Sequence, residues 1–80
     1  MKVTIKLHDY LKTKVKDVLP DQSSLELSLP EGTKVETLLE ILKLEEEWVG
    51  LVILNGSQVD RQTTLSHRDE LELFAPLSGG

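Results

Sequence analysis

Only one stretch of this chain carries a helical apolar stripe, and strands surround it. Val35, Leu38, Leu39 and Leu42 fall at i, i+3, i+4 and i+7, a spacing that lines them along one side of an α-helix. Ile41 widens the stripe. Thr33 is expected to open this helix, with Glu36 three residues later completing a capping box. Lys43 is expected at its end, where a cation suits the negative pole of the dipole. Elsewhere the period is two. Val3, Ile5 and Leu7 alternate with Lys2, Thr4, Lys6 and His8, and Leu25, Leu27 and Leu29 alternate with Ser24, Glu26 and Ser28, as half-buried strands do. Leu51 to Leu54 is a continuous apolar strand. Asn55-Gly56 after it is the signal for a type I′ hairpin turn, and Ser57 to Val59 returns as a short strand. Thr63 to Asp69 is a polar connection, and Glu70 to Ala75 is the last strand. A lone helix buries its stripe against one face of a sheet. The pattern therefore predicts an α+β layer arrangement, a mixed sheet of four to five strands with one principal helix.

The stretch from Asp9 to Asp21 fits less simply. It reads as one helical turn capped by Asp9 and holding Tyr10, Leu11 and Lys14, followed by a loop. Thr13, Val15 and Val18 are β-branched and disfavour a longer helix, and Pro20-Asp21-Gln22-Ser23 reads as a turn. The chain of 80 residues makes one domain. Residues 1–75 are expected to form it, with 76–80 as a flexible tail. There are no cysteines, which excludes a disulfide framework, a thiolate nucleophile and a cysteine-bound metal. A net charge of −5 repels nucleic acid and anionic lipid and favours a partner with a basic docking surface. No apolar run approaches the ~18 residues that cross a membrane, and the start lacks the apolar region of a signal peptide. A cytoplasmic location is expected.

Catalytic constellations do not emerge. His8 and His67 are far apart and read as strand-end and turn histidines. No serine lies in Gly-x-Ser-x-Gly. Gly32, Gly50 and Gly56 are isolated and build no phosphate loop. Glu45-Glu46-Glu47 reads as a solvated connector rather than a metal or acid–base site. Trp48 either lids the core edge beside the helix end or serves as a partner hot spot. Phe74 alternates out of phase with Leu71 and Leu73. It falls on the polar side of its strand, either as a docking residue or packed on a neighbour such as Ile53.

The most specific stretch is the last. Leu71-Glu72-Leu73-Phe74-Ala75-Pro76-Leu77-Ser78-Gly79-Gly80 is a strand that Pro76 must terminate, because proline donates no ladder hydrogen bond. The two terminal glycines contribute nothing to a core. A frayed terminus accounts for many such endings. The alternative merit is access, since backbone without Cβ atoms fits a channel too narrow for side chains. From Pro76 to Gly80 an extended tail reaches up to ~17 Å.

Leu-x-Leu-Phe-x-Pro-x-x-Gly-Gly at a C-terminus, together with Leu51-Val52-Ile53-Leu54-Asn55-Gly56, resembles the ubiquitin-like sulfur carriers. These include the molybdopterin synthase small subunit and the thiamine-pathway carrier. The Phe-x-Pro element and the long insert between the first two strands look more like the molybdopterin type, although Ala75 stands where a second proline is often found. The resemblance implies a β-grasp fold with the first and last strands parallel at the centre. Val3, Ile5, Leu7, Leu71 and Leu73 would then face the helix, and Lys2, Lys6, Glu70, Glu72 and Phe74 the open face. It implies that Gly80 bears a carboxyl adenylated by a ubiquitin-activating-type enzyme using ATP and magnesium. That carboxyl would then become a thiocarboxylate that gives sulfur to a synthase large subunit. Gly79 would provide slim access, and Phe74, Ile53, Pro76 and Leu77 would meet the partners. No bound metal or cofactor is implied. Terminal Gly-Gly equally permits a ubiquitin-like modifier joined to lysines through Gly80, and a plain β-grasp interaction module is the third class.

Overall fold

A computed structural model describes residues 1–15 and 24–76 of the chain. The expected turn at 20–23, Val18, and the tail residues Leu77, Ser78, Gly79 and Gly80 lie outside the described residues. Lys2–Leu7 forms β1, Ser24–Ser28 β2, Leu51–Leu54 β3, Ser57–Gln58 β4 and Glu70–Phe74 β5. Val35–Ile41 forms the helix α1, and short 3-10 turns cover Asp9–Thr13 and Glu46–Trp48. The strands make one mixed sheet in the order β2-β1-β5-β3-β4. β1 and β5 are parallel at its centre, while β2, β3 and β4 are added antiparallel. This is the β-grasp arrangement.

Alternation does what period two requires. Val3, Ile5, Leu7, Leu71 and Leu73 are buried together with Val35, Leu38, Leu39 and Leu42 from α1. Lys2, Lys6, Glu26 and Glu70 are exposed on the other face. Lys2 and Glu26 approach to 3.8 Å there, an exposed ion pair that adds little stability. The turn at Asn55-Gly56 has positive φ at both residues, 50° and 88°, as type I′ demands. The connection expected to be polar also contributes Leu65 to the core.

Both ends of α1 differ from expectation. The helix begins at Val35, with Lys34 in the cap position and no side-chain cap. Thr33 is buried, and its hydroxyl donates to the Pro30 carbonyl at 2.7 Å. The Glu36 carboxylate accepts from Gln62 Nε2 at 2.7 Å, so no capping box forms. Residues 61–63 run past the start of the helix and replace it. The Val35 and Glu36 N–H groups donate to the carbonyls of Thr63 and Arg61 at 3.0 and 2.9 Å, satisfying donors that a helix cannot satisfy by itself. At the other end Lys43 lies past the last turn, with φ of 59°. Its N–H donates to Glu40 O and that of Leu44 to Leu39 O, each at 3.0 Å, the pair of bonds of a Schellman motif. Ile41 is 48% exposed and does not widen the stripe. The four stripe residues already cover the sheet beneath this short helix.

The first 3-10 turn places His8, not Asp9, at the cap position. It buries Leu11 fully and leaves Tyr10 exposed. Trp48 is half-buried against the edge of the core, as its lid reading expects. Lys14 Nζ stands over its ring at 4.8 Å from the centroid. No helix among the described residues is long and apolar enough to cross a membrane.

Candidate functional site

The end of β5 is where the chain leaves the domain, and two hydrogen bonds and a buried residue fix it. His8 N–H donates to Leu73 O at 3.0 Å from one side, and Gly50 N–H donates to Phe74 O at 2.8 Å from the other. Ala75 is buried. Pro76 follows, exposed, and the sheet pairing stops before it as a proline without an N–H requires.

Gly50 is more than an isolated break in the sequence. A Cβ on it would lie 2.6 Å from Pro76 Cα and 2.8 Å from Pro76 N. Gly50 is therefore glycine because the root of the tail crosses directly over its Cα. The only sequence signal was a glycine at the start of a strand with no turn to explain it, which marks close backbone approach.

Register places the neighbouring side chains. Phe74 lies opposite Leu51, and Glu72 opposite Ile53 on one side and Lys6 on the other. Phe74, Leu51 and Ile53 thus share the open face, half-buried and outside the core cluster. Ile53 is on the face where it was expected, but Phe74's direct cross-strand partner is Leu51. The ring that Phe74 stacks on is His8, with centroids 4.0 Å apart and planes within 3°. His8 Nε2 lies 3.0 Å from Glu72 Oε1, which sets the imidazole edge-on to the carboxylate and flat against Phe74. His8 is accordingly not a bland strand-end residue. Its position was legible only once β1 and β5 were paired in parallel, because Leu7 opposes Leu73 and the next residue on each strand then meets across the open face.

The face joins a small apolar patch to a polar border, and the tail emerges beside it. It carries little of its own chemistry. Among the described residues no group of histidine and carboxylate side chains could hold a metal ion. His67 Nδ1 accepts the Lys2 N–H at 2.9 Å, far from His8 in the sheet. A surface groove of about 360 Å³ lies on the helix side, bordered by Glu36, Glu40, Glu45, Glu46, Lys43 and Arg61. Neither Phe74 nor Pro76 takes part in it. Glu46 lies in the solvated connector as expected, paired with Arg61 at 3.6 Å.

A β-grasp sheet of this order, with one helix on one face and the chain leaving past β5 at an exposed Pro76, is that of the ubiquitin-like class. Residues 7–80 match the ThiS family, and the chain belongs to that family of ubiquitin-like sulfur carriers. No curated protein gives a significant match. Among solved structures, the putative molybdopterin converting factor subunit 1 from Pyrococcus furiosus is 24% identical with a TM-score of 0.74, covering 96% of this chain and 99% of its own. SAMP1 from Haloferax volcanii is 21% identical with a TM-score of 0.72, covering 100% of both chains. A complex of subunits 1 and 2 of the molybdopterin-converting factor from Helicobacter pylori contains a chain 23% identical, with a TM-score of 0.63 and full coverage of both. At these identities the likeness is one of fold.

Proposed function

We propose that this chain carries sulfur on its C-terminal carboxyl in cofactor biosynthesis of the molybdopterin type, as a substrate of its partners and not as a catalyst. A ubiquitin-activating-type enzyme binds the open face, with Phe74, Leu51 and Ile53 at the centre and Pro76 and Leu77 guiding the tail. The Gly80 carboxylate attacks the α-phosphorus of ATP, with magnesium supplied at the partner's site, and pyrophosphate leaves. The mixed anhydride makes a poor electrophile reactive. A sulfide-level nucleophile from a sulfur donor then attacks the acyl carbon, the C–O bond to AMP breaks and AMP leaves, and the thiocarboxylate so formed is a polarisable nucleophile that a carboxylate is not. It is delivered to a sulfur-accepting synthase large subunit, a relationship supported by the two-subunit converting factor of Helicobacter pylori.

The observation that carries this reading is continuity. The family match runs through residue 80, and β5 ends at Phe74 with Pro76 exposed beside the apolar face. The experiment is ATP–pyrophosphate exchange with the cognate adenylating enzyme, followed by intact mass for an oxygen-to-sulfur replacement. Deleting Gly80 shortens the tail by about 3.5 Å and should abolish exchange while leaving the fold intact. Full turnover by the shortened protein would refute the proposal and leave an interaction module as the better reading. The fold shared with SAMP1, of a kind also called small archaeal modifier protein 1, supports a second reading as a protein modifier. Lysine-linked adducts ending in Gly80 would decide for it.

A further inference from the structure

Gly50 and Pro76 meet backbone to backbone, and this contact sets where the tail begins. A Cβ at residue 50 would approach Pro76 Cα to 2.6 Å, Pro76 N to 2.8 Å and Ala75 C to 3.2 Å, whereas ordinary contact begins at 3.4 Å. All of these are main-chain atoms, so no side-chain rotation relieves the overlap. The segment preceding Gly50 is itself held. Arg61 Nη2 donates to Glu46 O at 3.1 Å and also to Val49 O. On the other strand, Phe74 O is fixed by the Gly50 N–H, and Ala75 is buried. Pro76 has its φ locked by its ring. The tail root is thus clamped between a braced connector and a braced strand end, and the bare Cα of Gly50 is the surface it rests on.

We propose that Gly50 is a positioning residue for activation of the C-terminal carboxyl. The inference rests on the reading of Gly80 given above. On that reading the reactive carboxyl must reach its site at the end of a short tail rooted at Pro76, so the position of Pro76 bears on where the carboxyl arrives. A displacement at its root is then passed to its end. A Cβ on Gly50 displaces Pro76 by roughly 0.8 Å, the difference between 3.4 and 2.6 Å. A misplacement of ~1 Å at a reacting centre can lower a rate a hundredfold. Docking itself is spared, because Leu51, Ile53 and Phe74 keep their positions on the sheet.

The test compares Gly50→Ala with the unaltered protein and with the protein lacking Gly80, using pyrophosphate exchange across a range of carrier concentrations. The expected result is a fall in kcat of about tenfold to a hundredfold, with KM within about threefold. A purely structural defect would instead raise KM or lower the folded fraction. Nuclear Overhauser contacts between the α-protons of Gly50 and Pro76 should be present in the unaltered protein and weakened in the variant. Should Gly50→Ala fail to fold, Arg61→Ala frees the Glu46 and Val49 carbonyls that brace the connector under the tail root, lies outside the docking face, and should show the same split between kcat and KM. Unchanged kcat in a folded variant, with exchange still dependent on Gly80, overturns the role of Gly50 alone. Exchange that is absent in the unaltered protein, or that persists without Gly80, overturns both readings.

Discussion

Removing the Phe74 ring tests the site and the fold at once. On the open face Phe74 is half-buried, stacked on His8 at 4.0 Å and opposite Leu51. Burying a phenylalanine completely stabilises by ~1.5 to 3 kcal/mol, so half of that is about 1 kcal/mol. The stack adds ~0.5 to 1.5 kcal/mol beyond area. Phe74→Ala should therefore cost about 1 to 3 kcal/mol, lowering the melting temperature by roughly 5 to 20 °C at ~4 to 8 °C per kcal/mol. Urea denaturation of Phe74→Ala, His8→Ala and the double variant should give a coupling energy of about 0.5 to 1.5 kcal/mol. Under conditions where all are folded, Phe74→Ala should also weaken binding to the adenylating enzyme by about tenfold or more, as a hot-spot truncation does. Additivity within ~0.3 kcal/mol would mean that the two rings do not interact. Normal binding by folded Phe74→Ala would remove this face from the docking surface. Phe74→Asp, which a fully exposed Phe74 would tolerate, should lower stability as well as binding.

Leu39→Ala empties a buried site beneath the helix and should cost ~2 to 5 kcal/mol by urea denaturation, the range for a buried leucine. Lys43→Gly should raise stability by about 0.5 to 1 kcal/mol in the same measurement. The left-handed conformation at φ 59° costs a side-chain-bearing residue ~1 to 2 kcal/mol, partly offset by the greater freedom of glycine in the unfolded chain. Gly79→Val should leave the melting curve unchanged and block pyrophosphate exchange, because a branched Cβ does not fit a channel shaped for backbone.

Local pattern was enough for a large part of this molecule. Period two at Val3-Ile5-Leu7 and Leu71-Leu73, period 3.6 at Val35 to Leu42, and the Asn55-Gly56 turn each depend on neighbours within a few residues. Each was therefore present in the sequence itself. The apolar faces of strands and helix have only one another to bury against, which determined an α+β layer. The final Pro76 and the glycines after it are likewise a local signal. The family resemblance, and not the periodicity, carried the expectation that β1 and β5 lie parallel at the centre.

Tertiary structure decided what depends on distant segments meeting. The capping box at Thr33 and Glu36 was a sound local option, but carbonyls of Arg61 and Thr63 reach the helix start first and leave the Thr33 hydroxyl to Pro30. His8 is separated from Glu72 by 64 positions, and only the parallel register brings it against Phe74. Gly50 is separated from Pro76 by a hairpin and a long connection, and a lone glycine at a strand start signals a close backbone approach without showing which segment will cross its Cα at a distance that excludes a methyl group. Alternation and capping are short-range physics, written in the residues themselves. Register across strands, and the space left at a glycine, exist only once the sheet has closed.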